Sequence, residues 1–252
     1  VLYNLEEKYL WFLGRTKISF DMIKRHLKND KNIKILDAGC GTGKNIEYLK
    51  KYGEVYGLDF SEEALKFCKK RGIEKLKQGE IEKLPYEDNT FDLVTCFGVL
   101  YHKGIKSDLK AIEELSRVCK PNGHVVITTP AGKFLTSKIF FSGHDKSQHT
   151  GRRHNKNELK KLLKQSNLKP KEITHMNMFL MPLVILVRII KKIIEIIFGP
   201  SKNFKSELKT PNQIINKLLL SIILLENIII KNISNLPFGL TLISISQKIK
   251  KE

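Results

Sequence analysis

Hydrophobic and polar positions follow two different periods along the first half of the chain. Short apolar runs at 33–36, 55–58, 91–97 and 125–129 read as strands, with a weaker one at 73–78. Between them, at 44–51, 61–70 and 106–118, apolar residues recur at helical spacing. Ser61 is placed to cap the second of these helices, with Glu62 and Glu63 in the first turn, where the helix dipole favours acids. Pro121-Asn122-Gly123 reads as a turn. The first thirty residues form a helical lead-in in which Tyr9, Trp11, Phe12 and Arg15 stand out. Strand and helix in alternation predict a parallel sheet covered by helices on both faces.

After Pro130 the pattern changes. A polar segment with His and Arg runs over 142–155, a helix over 158–166 and a sixth strand over 172–178. Two very apolar stretches follow, 179–198 and 214–230, before a final strand at 240–246. Arg188, Lys191, Lys192 and Glu195 fall on one face of the first stretch, and four charges argue against a bilayer span. The second stretch repeats the theme with Lys217, Ser221 and Glu226. Amphipathic helices of this kind suit a lid over a hydrophobic acceptor pocket, a surface lying in a membrane interface, or packing on each other and on the sheet. No internal repeat is visible.

Composition adds bounds. The 252 residues and 29.0 kDa allow one large domain or two small ones, and 41% hydrophobic with 28% charged residues excludes wholesale disorder. Cys40, Cys68, Cys96 and Cys119 form no CxxC pair, so a reducing compartment, the cytoplasm, is expected, with no metal centre. The opening residues do not read as a secretory leader, and a chain opening on Val1 rather than Met is expected to lack a short leading piece. The formal net charge is +19. It suits a polyanionic partner, nucleic acid or an anionic membrane. It also suits the codon bias of an AT-rich genome, since Lys far outnumbers the seven Arg and direct DNA readout leans on Arg. Charge therefore assigns no partner, and no specific nucleic acid is expected.

The chemistry concentrates at Asp37-Ala38-Gly39-Cys40-Gly41-Thr42-Gly43, which follows a strand and opens a helix. Glycines there let the backbone turn tightly and approach a ligand. Asp59, twenty residues beyond Gly39, ends the second strand, where a carboxylate can accept both hydroxyls of a ribose. That logic serves NAD and S-adenosylmethionine alike. The Gly-x-Gly-x-Gly spacing, with Asp37 just before it, disfavours a pyrophosphate and favours a cationic aminoacyl group.

On these residues the chain resembles the class I S-adenosylmethionine-dependent methyltransferases, in their small-molecule, type 11-like group. The resemblance covers roughly residues 33–130. Residues 37–43 are similar to the family's first motif, and Asp59 to its ribose-binding acid. Residues 78–86, Gln-Gly-Glu-Ile-Glu-Lys-Leu-Pro-Tyr, resemble the adenine-holding motif, with Glu80 in place of the usual Asp and Ile81 supplying a backbone N–H and an apolar contact. Phe91-Asp92-Leu93-Val94 matches the fourth strand, Val99-Leu100-Tyr101-His102 the segment after it, and 120–124 the usual Lys-Pro-Gly-Gly turn. The resemblance implies a Rossmann-like α/β fold, a doubly wound seven-stranded sheet of order 3-2-1-4-5-7-6 with the last strand antiparallel. It implies a methyltransferase domain over 1–178 and 237–252, with a helical insertion at 179–236 before the last strand. The implied cofactor is S-adenosyl-L-methionine, held by Asp37, Gly39, Cys40, Gly41, Gly43, Asp59, Phe60, Glu80, Ile81 and Phe97.

The flanks narrow the group. Trp11-Phe12 with Arg15 resembles an aromatic N-terminal helix that folds over the cofactor in one subset, and 149–154 resembles that subset's His-x-x-Arg-Arg-Tyr segment, with His154 in place of Tyr. Methyl transfer needs alignment, and an alcohol acceptor also needs its proton removed, a task for a histidine. His149, His144 and His102 are the candidates, with Asp145 placed to orient His149. Arg152 and Arg153 suit a clamp on an acceptor carboxylate or phosphate, and Trp11 and Arg15 suit the acceptor side of the pocket. The expected function is methyl transfer to a small or lipid-linked acceptor, at oxygen, with possible peripheral membrane contact through 179–230. An RNA or protein methyltransferase, or a non-catalytic membrane-peripheral protein on the same fold, are the alternatives.

Overall fold

A computed structural model describes residues 2–27, 32–132, 152–199, 212–233 and 235–250. Seven strands form one sheet of order β3-β2-β1-β4-β5-β7-β6. They are β1 Ile33–Ala38, β2 Gly53–Asp59, β3 Leu76–Gln78, β4 Phe91–Phe97, β5 Cys119–Pro130, β6 Leu168–Met176 and β7 Thr241–Lys248. β1 to β5 pair in parallel, and β7 runs antiparallel to both β5 and β6. The sheet order and the reversed last strand are those the resemblance implies.

Alternation along the strands sorts side chains into two cores. Ile35, Leu93, Ile243 and Ile245 face one side with Ile18, Met22 and Ile23; their neighbours Leu36, Val94 and Leu242 face the other with Ile112, Leu115 and Leu159. Helices α3 Lys44–Leu49, α4 Glu62–Lys70, α5 Asp108–Val118 and α6 Lys156–Gln165 follow the predicted segments to within a turn. Ser61 and Ser107 cap α4 and α5, and Asn155 with Glu158 makes a capping box at α6.

Several boundaries differ from expectation. The lead-in is two helices, α1 Leu2–Leu5 and α2 Leu10–His26. The expected turn at 121–123 lies inside β5, where the register with β4 shifts between Phe91 and Leu93 and Asn122 takes φ +64°. It is a bulge rather than a strand start, because Cys119 already pairs with Phe91. The third strand is cut to Leu76–Gln78.

The two apolar stretches form α7 Met181–Phe198 and α8 Gln213–Ile233, between β6 and β7. α8 crosses α2 where Gly14 meets Ile223, so closely that a Cβ on Gly14 would lie 2.5 Å from Ile223 Cγ2. Asn216 accepts from the Leu10 N–H at 3.1 Å, and Asn227 donates to Asp21 at 2.7 Å. α7 buries no residue, so packing of both stretches on the sheet does not hold for it. α8 is the one described helix long and apolar enough to cross a membrane by length and composition.

Candidate functional site

The carboxyl ends of β1, β2, β3 and β4 bring the predicted segments to one edge, where ligands of open α/β sheets bind. Gly39 takes φ +79°, and a Cβ there would lie 2.3 Å from Val99 Cγ2, so both the turn and the contact require glycine. Gly41 takes φ +56° and faces open space. Its N–H donates to Asp59 Oδ2 at 2.8 Å, while the Ser61 N–H donates to Oδ1 at 2.9 Å. Asp59 is thus buried and fixed by two backbone donors, with a further lone pair left on each oxygen.

Asp37 is wholly buried at the end of β1. Thr95 donates to its Oδ1 at 2.7 Å, and Oδ2 has no hydrogen-bond partner among the described residues. Burial pushes its carboxyl up to about 7; Thr95 and Arg15 pull it down, and Asp59 adds to the rise. Arg15, on α2, sits within reach of this charge and of Tyr101 and Glu6, and burial lowers its own pKa. Its guanidinium lies 5.4 Å from the centre of the Phe12 ring, and Gly98 leaves the space that its Nη1 fills. A cationic group with a free carboxylate beside it would meet both an orphaned acid oxygen and a guanidinium here.

Phe60 is 62% exposed, and its ring lies 5.7 Å from that of His102. Gln78 donates to the Phe60 carbonyl at 3.0 Å, which holds the third strand's end against the Asp59 loop. Ile81 is buried, whereas Glu80 is exposed. Phe97 is buried against Phe20 of α2. Trp11 is half-buried on the first turn of α2. Cys40 is buried with its Sγ 3.9 Å from that of Cys68, and Gly43 begins α3 in the left-handed region.

Arg152 donates from Nη1 to Asp108 at 2.8 Å and from Nη2 to the Ile105 carbonyl. The clamp on an acceptor acid expected of it is not what these two nitrogens do. Arg153 is buried, donates to the Ala131 carbonyl at 3.0 Å and acts by its charge on Tyr101. His154 is buried between Thr129 at 3.0 Å and Asp108 at 2.9 Å. The segment therefore returns along the carboxyl edge of β5, bridged at Ala131. His144, Asp145 and His149 lie outside the described residues.

Three contributors were not singled out from the sequence, and two of them carry no signal there. The Glu6 carboxylate accepts from the Thr42 hydroxyl, Glu7 pairs with Lys44 at 3.0 Å, and Arg71 lies over the Tyr3 ring, so α1 and its loop cover the glycine turn. No spacing marks Glu6. Glu82 accepts from the Lys106 and Ser107 N–H groups at 3.0 and 2.8 Å, tying the loop after β3 to the start of α5. Thr95 does carry a signal, a hydroxyl inside an otherwise apolar strand.

Residues 36–127 match the family described as Methyltransferase domain. Over 132 residues the chain is 38% identical to demethylmenaquinone methyltransferase of Staphylococcus aureus strain MRSA252, covering 49% of this chain and 50% of the relative. The chain thus spans about half the length of the relatives it matches. Among solved structures it is similar to geranyl diphosphate C-methyltransferase of Streptomyces coelicolor A3(2), solved with S-adenosyl-L-homocysteine (TM-score 0.58, 16% identity, 91% of this chain and 76% of that one). It is equally similar to the [4+2]-cyclase SpnF (TM-score 0.60, 15% identity, 94% and 81%). The architecture is the Rossmann-like class I methyltransferase fold. More particularly, the stretch that matches the methyltransferase-domain family, residues 36–127, is the one that holds the glycine loop and Asp59.

Proposed function

We propose that this protein transfers a methyl group from S-adenosyl-L-methionine to a small or lipid-linked acceptor, at oxygen, in the cytoplasm. The observation that carries this reading is the pair of buried acids on the glycine turn: Asp59 fixed by the Gly41 and Ser61 N–H groups, and Asp37 with an oxygen left over. The SpnF likeness makes the site, rather than the fold, the ground for it. The relatives named demethylmenaquinone methyltransferases support the lipid-linked end of the acceptor range.

When bound, the cofactor supplies a methyl group activated on a cationic sulfur. In this reading Gly39, Cys40, Gly41 and Gly43 form the cradle and Asp59 accepts the ribose hydroxyls. Phe60, Glu80, Ile81 and Phe97 border the adenine, and Asp37 pairs with the ammonium. Arg15 and Trp11 border the acceptor side, with Arg153 behind Tyr101. His149, oriented by Asp145, removes the acceptor's proton, and His102 lines the wall beside the cofactor.

Calorimetric titration with S-adenosylhomocysteine tests the core of the proposal. Asp59→Ala should weaken binding tenfold or more, because charge-assisted hydrogen bonds contribute about 1.5–3 kcal/mol. Asp59→Asn, which keeps the side chain's shape, should also bind more weakly. Unchanged affinity in both variants would overturn the assignment.

A further inference from the structure

α7 and α8 each turn a broad apolar face away from the protein. On α7 the charged Arg188, Lys192 and Glu195 lie on the half-buried strip, with Lys192 paired to Glu195 at 2.8 Å. The apolar side chains point outward: Ile196 is 73% exposed and Phe198 80%, with Leu186, Ile190, Ile193 and Ile197 on the same broad face. α8 seats Ile223 and Ile230 on the protein together with Glu226 and Asn227, Glu226 accepting from the Asn177 and Phe179 N–H groups, and still leaves Leu218, Leu225 and Ile228 exposed. Contiguous apolar surface of this extent on a folded chain marks a site for another apolar phase.

Charge decides which phase. A second copy would bring +19 against +19, which opposes association through this face. A bilayer with anionic headgroups attracts the same charge. Lys217 stands exposed among the outward apolar residues of α8, and Lys191 is exposed on α7. An 18-residue helix with one broad apolar face suits lying in the interface rather than crossing it. We infer that the outward faces of α7 and α8 dock this protein on the surface of an anionic lipid bilayer.

The inference stands apart from methyl transfer, and its test keeps the two distinguishable. The whole chain is sedimented with vesicles of phosphatidylcholine containing three-tenths phosphatidylglycerol, and with vesicles of phosphatidylcholine alone. Binding to the anionic vesicles should be at least tenfold stronger. Ile190→Glu with Ile197→Glu should weaken that binding at least tenfold while S-adenosylhomocysteine affinity stays at the wild-type value. Leu225→Glu, on α8, should weaken it in the same direction. Equal binding to both vesicle types, binding of the double variant as tight as wild type, or no vesicle binding together with a dimer that the double variant abolishes, would each overturn the inference.

Discussion

Asp37→Asn should make the protein more stable and less able to bind cofactor, and both effects can be sized. The Asp37 carboxyl is wholly buried and pushed from 3.8 to about 7, chiefly by burial and further by Asp59. A rise of about three pKa units corresponds to about 4 kcal/mol held against the native state when the group is ionised. Asn keeps the shape and the bond from Thr95 but carries no charge. The unfolded carboxyl loses its proton near 3.8 and the folded one near 7, so between these values the native state binds more protons. Wild-type stability therefore falls as pH rises from about 4 to about 7, whereas the Asn variant does not titrate at this site. Between pH 5.5 and 8 the variant should gain about 2 kcal/mol over wild type, the equivalent of roughly 1.5 units. In a chain of this length that is a Tm difference growing by about 4–8 °C. Affinity for S-adenosylhomocysteine should drop about tenfold or more, because a neutral amide cannot pair with the ammonium as a carboxylate does. Thermal melts at the two pH values, with calorimetry on the same samples, read both quantities. Parallel pH profiles for the two proteins would refute the raised pKa, and a stabilised variant that binds like wild type would refute the role given to Asp37.

Two other expectations follow. His149→Ala should lower turnover while leaving S-adenosylhomocysteine affinity near wild type, because a general base acts on the transition state; an equal loss of binding would count against that role. Gly14→Ala should destabilise by about 1–3 kcal/mol through the clash with Ile223, less the roughly 1 kcal/mol a helical alanine contributes. In an Ile223→Ala background the same change should turn stabilising, and chemical denaturation showing no change of sign would mean the two helices do not meet as described.

Much of this was legible in the sequence because the signals were local. A strand ending in three spaced glycines, an acid twenty residues on, and alternating apolar runs are properties of neighbouring residues, and the sheet order then came with the resemblance. What stayed hidden depends on distant pairing. Glu6 reaches Thr42 across thirty-six residues, and Arg152 and His154 both reach Asp108, so that the segment's arginine and histidine hold the edge of the sheet together. His154, where the resembling segment has Tyr, bridges Thr129 and Asp108 with its two ring nitrogens. The orientation of α7 was also out of reach: periodicity finds an apolar face, but only packing says whether that face turns in or out.

The helix that carries the surface and the helix that carries the site are seated on each other. α2 meets α8 at Gly14, and the next residue, Arg15, turns toward Gly98, Tyr101 and Asp37. Asp21, six residues further along, holds both Asn227 and Lys231 of α8, at 2.7 and 2.8 Å. These contacts flank the arginine on the same helix, so α8 and Arg15 are joined through one helix rather than through a loop. Glu226 and Asn227 fix α8 to the protein beside the buried Ile223 and Ile230, and the apolar side chains that these contacts do not use face outward.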